Sequence, residues 1–152
     1  MNSPVSFLIA AQNQDGGWGY GTGMTSIVEA TAAVLFALES EPSATESRRR
    51  GVDWLLKGQH TDGGWGYSQD DPESTWHTSW AVWVLARLGE SDSVIAPALK
   101  WLLKINVFLT EDDALQRDIL NSNGVDITIP GWAWLPGEVT WVEPTAFALL
   151  AL

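Results

Sequence analysis

The sequence contains no cysteine, which excludes disulfides and thiolate metal sites and leaves the redox compartment open. Basic residues are also scarce: 8 Lys and Arg stand against 19 Asp and Glu, a net charge of −11. That field repels phosphate backbones and anionic lipid surfaces, so nucleic acid is not an expected partner. No apolar run approaches the length of a transmembrane segment. The run from Val5 to Ala11 could pass for a signal-peptide core, but no Lys or Arg precedes it. It also aligns with an internal repeat, so it reads as mature structure. The expected location is cytoplasmic, with peripheral membrane contact left open. No residue pattern points to a cofactor or a metal ion.

Tryptophan, by contrast, is abundant. Ten Trp in 152 residues, with 45% apolar residues overall, describe one globular domain with a substantial core. Many of them fall in a repeat whose best copy is RGVDWLLKGQHTDGGWGY, Arg50 to Tyr67. A helix ends at Gln59, the chain turns through Asp62-Gly63-Gly64, and Trp65 and Tyr67 follow. FLIAAQNQDGGWGY, Phe7 to Tyr20, is a second copy, its Trp18 lying 47 residues (65 − 18) before Trp65. That interval belongs to stacked helical repeats. A degraded third copy opens at Trp101-Leu102, has Asn106 in the glutamine place and ends at Gly131 to Trp134.

The helices alternate in character. Ser3-Pro4 starts one that runs to about Ala11. Ser26 with Glu29, and Ser43 with Glu46, have capping-box spacing before the next two. Helices from Ser26 to Leu38, Trp76 to Leu88 and Thr140 to Leu152 are apolar nearly all round, which predicts burial on every side. The intervening helices keep a charged face. Residues 107–130 are acidic and broken by turn residues, and are expected to be an irregular insertion. The expectation is one all-α domain with three outer and three inner helices, in repeats of about 3–39, 43–88 and 93–152.

These motifs resemble the glutamine–tryptophan repeat of squalene–hopene and oxidosqualene cyclases, whose α/α-toroid is shared with protein prenyltransferase β subunits. The resemblance implies a partial α/α-toroid, an open arc of inner and outer helices beside an apolar cavity. It implies a terpene-cyclase-like protein that binds or cyclises a polyprenyl substrate, a hydrophobic small molecule. The cyclases' acid motif, D-x-D-D-T-A, is matched in part by IVEATA, Ile27 to Ala32, and WVEPTA, Trp141 to Ala146. Glu29 and Glu143 fall on its middle aspartate and Thr31 and Thr145 on its threonine; the flanking aspartates are replaced. In the second repeat His77 is assigned the acid's place. Protonating an alkene takes a neutral yet strongly acidic carboxyl, normally with carboxylate neighbours, so catalysis is left open. If the chain is an enzyme, the class is an isomerase-type cyclase. The prenyltransferase zinc site needs a thiolate and is set aside.

Each candidate has a plain structural alternative. Gln12, Gln59, Trp18 and Trp65 are assigned to the fold, the amides satisfying helix-end groups and the indoles covering them. Glu29 could cap Ser26; His77 could be a polar cap. The catalytic candidates Glu29, His77 and Glu143 are expected at one end of adjacent inner helices, facing one space. Trp76, Trp80 and Trp83 form a stripe that is either core or a π-lined wall for a polyprenyl chain or carbocation. Tyr20, Tyr67, Trp134 and Trp141 are candidates for the cavity mouth. Asp70, Asp71, Glu73 and Glu111 to Asp113 read as solvated loop charge. Rival functions are a non-catalytic toroid scaffold for a ligand or protein, and an α/α-barrel enzyme using paired carboxylates in a polar groove. The uncapped apolar run from Ala146 to Leu152 predicts self-association or further repeats covering it.

Overall fold

A computed structural model describes residues 3–105 and 107–152. Asn106, assigned the glutamine place of the third repeat, lies outside the described residues. Among these the chain forms seven α-helices and no strand: α1 (Pro4–Ala10), α2 (Val28–Ala37), α3 (Thr45–Lys57), α4 (His77–Arg87), α5 (Asp92–Leu102), α6 (Asp113–Asn123) and α7 (Val142–Ala151). Helices α1, α3 and α5 are the outer set, and α2, α4 and α7 the inner one. Helix α4 is the middle of the inner layer and packs on both α2 and α7, while α3 lies on α2 and α5 on α4.

The glutamine–tryptophan motif is the joint between layers. Gln12 donates to the Gly16 and Ser47 carbonyls (2.7 and 2.8 Å), and Gln59 to those of Gly63 and Val94 (3.0 and 2.9 Å). One amide thus closes its own turn and ties it to the start of the next outer helix. The indole N–H of Trp18, Trp65 and Trp132 donates to the Leu8, Leu55 and Leu102 carbonyls at 2.8, 2.7 and 2.9 Å, satisfying orphan helix-end groups. The backbone N–H of each of these tryptophans donates to a threonine hydroxyl one turn into the inner helix: Thr31, Thr78 and Thr145, at 2.9, 2.8 and 2.9 Å. Three threonines therefore fix a common register for α2, α4 and α7.

Several expectations from the sequence are corrected. Neither capping box forms: Ser26 donates instead to Asp15 and accepts from Asn13, so it is unavailable to α2. Helix α3 follows a 3₁₀ turn, Pro42–Ala44, with no side-chain cap, and Glu46 pairs with Arg49. The insertion is not wholly irregular. Asp112 caps the Ala114 and Leu115 amides and Gly124, at φ +68°, ends the helix α6 between them. Burial on every side holds best for α4. Helix α7 leaves Val142, Leu149 and Leu150 exposed.

Candidate functional site

At about 100° per residue, the helix face opposite each threonine is reached two positions before it, two after and five after. Those positions are Glu29, Ala33 and Phe36 on α2; Trp76, Trp80 and Trp83 on α4; Glu143, Phe147 and Leu150 on α7. They form three rows across the inner layer, on the side away from the joints. The rings confirm the rows. Trp80 stacks on Phe147 across α4 and α7 (centroids 3.8 Å apart), and Trp83 meets Phe36 across α4 and α2 (4.6 Å). Trp80 and Trp83 also meet edge to face at 5.8 Å, so the aromatic surface is continuous. Trp76 is buried and packs edge-on to Trp134 at 4.5 Å.

Two carboxylates lie in the upper row. Tyr20 donates its hydroxyl to Glu29 at 2.7 Å, and this bond pushes the phenol up to about 12, helped by partial burial. The charge of Glu143 also acts on Tyr20. Glu29, Tyr20 and Glu143 therefore share one end of the inner layer, at the helix N-termini, where the macrodipole favours negative charge. The capping reading of Glu29 is replaced by this tyrosine pair.

His77, assigned the acid's place in the second repeat, is set in a different first turn. The Thr31 and Thr145 amides bond four residues back, to Ile27 and Trp141, whereas the Thr78 amide bonds three back, to Thr75. That tighter first turn removes one residue. By their backbone bonds Thr75 stands level with Ile27 and Trp141, and Trp76 with Val28, so His77 alone occupies the stretch that Glu29 and Ala30 fill in α2. His77 accordingly turns inward. It bonds Thr75 at 2.7 Å and meets the edge of Tyr67, and burial pushes its imidazole down to about 4 against the pull of Asp71. It is neutral at pH 7.

Trp141 stands apart from the aromatic rows. It borders a separate groove of about 540 Å³ with Ile129, Val142 and Leu149 on the outer flank of α7. Phe36 and Phe147, which complete the wall, were missed as candidates. Their signal was the register itself, seven residues after Glu29 and four after Glu143. Trp80 Nε1 and Ser79 Oγ are buried without partners, which costs about 1–3 kcal/mol per group. Among the described residues no group of acidic, histidine or cysteine side chains has metal-binding geometry.

An all-helical layer of paired helices with these joints defines a partial α/α-toroid. Residues 1–75 match the family model of the squalene-hopene cyclase C-terminal domain, so this part of the chain is similar to that terpene-cyclase domain. The match spans the first hairpin and the second glutamine–tryptophan joint, through the start of the loop bond at Thr75. No curated protein matches the chain. No helix among the described residues is long and apolar enough to cross a membrane.

Proposed function

We propose that the aromatic face of α2, α4 and α7 binds a linear polyprenyl chain. The observation that carries this is the continuous surface of Phe36, Trp83, Trp80 and Phe147 below a rim holding Glu29 and Glu143. Ring faces suit an alkene-rich chain and stabilise positive charge developing along it. If the chain turns over, protonated Glu29 would donate its proton to an alkene carbon, leaving a carbocation over the Trp80 and Phe147 faces. Attack by further double bonds and loss of a proton to a base would complete an isomerisation, with no atom gained or lost.

Binding without turnover is the second reading, and the acid's surroundings favour it. Ile27 and Ala30 replace the aspartates that would make Glu29 a strong acid, and Tyr20 already donates to its carboxylate. The two readings separate in one experiment, incubation with linear polyprenyls followed by product extraction, alongside tryptophan fluorescence. Quenching without cyclised product supports binding alone. Cyclised product that disappears in Glu29→Gln supports catalysis. Unchanged fluorescence with Trp80→Ala and wild type alike would overturn the site.

A further inference from the structure

The first two joints differ on their outer side, and the first shows what the second lacks. In the first, Arg50 of α3 donates to the Asn13 and Gln14 carbonyls at 2.8 and 3.1 Å, and to Gln12 Oε1 at 3.3 Å. Gln69, from the loop after Trp65, donates to the Trp54 carbonyl at 2.6 Å. With both plugs in place Trp54 is buried. The second joint has the same frame, Gln59 bonding Val94 as Gln12 bonds Ser47, a shift of 47 residues (94 − 47). In that register Pro97 replaces Arg50 and Trp101 replaces Trp54; counted from Trp65 and Trp132, Pro136 replaces Gln69. The close approaches agree: a Cβ on Gly16 would lie 2.7 Å from the Arg50 carbonyl oxygen, and one on Gly63 2.6 Å from that of Pro97. Proline brings no donor, so both plugs are lost together. A groove of about 550 Å³ remains, lined by Thr61, Pro97, Lys100, Trp101, Lys104 and Pro136, and Trp101 is only half-buried. Every element of the filled joint has its counterpart here; only the side chains differ.

The two walls of this groove differ in charge. On the side of the turn, Gln59 Oε1 and the Thr61 carbonyl accept no hydrogen bond among the described residues, and Asp62 stands beside them. On the side of α5, Lys100 stands where α3 has Asp53, and neither Lys100 nor Lys104 has an ion pair among the described residues. A simple cation would meet the lysines, and a simple anion would meet Asp62 and the carbonyls. We propose that the groove binds a ligand carrying both a guanidinium and a carboxylate, of which arginine is the simplest. Its guanidinium takes the place that Arg50 fills in the first joint, donating to Gln59 Oε1 and to the His60 and Thr61 carbonyls against the Trp101 ring. Its carboxylate pairs with Lys100 and Lys104. The groove lies on the outer layer, apart from the aromatic rows of the inner helices, and does not depend on the polyprenyl reading.

Isothermal titration calorimetry of the intact chain with L-arginine tests this, beside agmatine, which lacks the carboxylate, and citrulline, whose side chain is uncharged. Arginine should bind at least about tenfold more tightly than either, the factor expected when a hydrogen-bonded charge is lost. Pro97→Arg restores the plug of the first joint and should abolish binding, whereas Pro97→Ala leaves the groove open and should keep it. Circular dichroism establishes that each variant is folded; Pro136→Gln, which restores the other plug, replaces a Pro97→Arg that is not. Lys100→Ala combined with Lys104→Ala should bring arginine down to the affinity of agmatine. The tripeptide Gly-Gly-Arg distinguishes the source of the ligand: binding tighter than that of arginine assigns the groove to a peptide C-terminus, and weaker binding to the free amino acid. Heat of dilution alone with arginine would overturn the proposal. So would equal affinities for arginine, agmatine and citrulline, or undiminished binding to a folded Pro97→Arg.

Discussion

Single residues in the inner layer do work that their neighbours in sequence conceal. Glu29 is spaced to cap Ser26, yet Ser26 is held by Asp15 and Asn13, and Tyr20 takes Glu29 instead. Nothing in local spacing distinguishes these outcomes, because the competing partners come from the preceding joint. His77 shows the same limit. Its place depends on a first turn that closes three residues back and not four, a difference invisible until the hydrogen bonds are seen. Its burial has a consequence for stability. An unfolded histidine takes up its proton near pH 6.5, whereas the folded one waits until about 4. Between those values the unfolded chain binds more protons, so stability is full above about 6.5 and falls as the pH drops toward 4. At pH 5 the loss from this one group should be ~2 kcal/mol. Urea unfolding at pH 7 and pH 5 should show that decrement in the wild type and not in His77→Gln. Equal decrements in both proteins would mean that His77 is solvated in solution.

The joints were the most legible elements, because the same geometry is written into the sequence at a fixed interval. A glutamine, a glycine turn and a tryptophan recur together since each satisfies the other's helix-end groups, and neither half works alone. The alternation of inner and outer helices followed from which helices keep charge. Helix α6 was not legible, since Glu111-Asp112-Asp113 resembles solvated loop charge until Asp112 is seen capping. The joint also states which glycine cannot be replaced. Gly63 has φ +96°, and a Cβ there would lie 2.6 Å from the Pro97 carbonyl, the backbone of the next outer helix. Gly89 has a similar φ of +82° but nothing within 4 Å. Gly89→Ala should therefore cost only the conformational penalty, ~1–2 kcal/mol. Gly63→Ala adds a clash that only separation of α5 from the turn can relieve, and should cost more than that by ~2 kcal/mol. Thermal melts of the two variants side by side check the difference. Equal costs would mean that the joint is looser than its hydrogen bonds imply.

At the scale of the molecule, charge and apolar surface oppose each other. The bare flank of α7 was foreseeable from an apolar run with no polar stripe. The net charge of −11 works against compactness. Ion pairs do little to offset it. Those found among the described residues are Arg49 with Glu46 and Asp53, and Arg87 with Glu39, all reaching solvent. Exposed pairs of this kind contribute ~0–1 kcal/mol each, so screening them removes little. Raising salt from about 0.01 M to about 1 M shortens the Debye length from ~30 Å to ~3 Å, which quenches repulsion between charges spread over the whole surface. The melting temperature should therefore rise with sodium chloride, with most of the gain in the lower part of that range, where screening changes repulsion over the distances between surface carboxylates. Calorimetry at fixed protein concentration and pH 7 measures it. A melting temperature that falls with salt would mean that the few ion pairs outweigh the surplus of acid, and that the acidic residues are arranged with more mutual compensation than their number suggests.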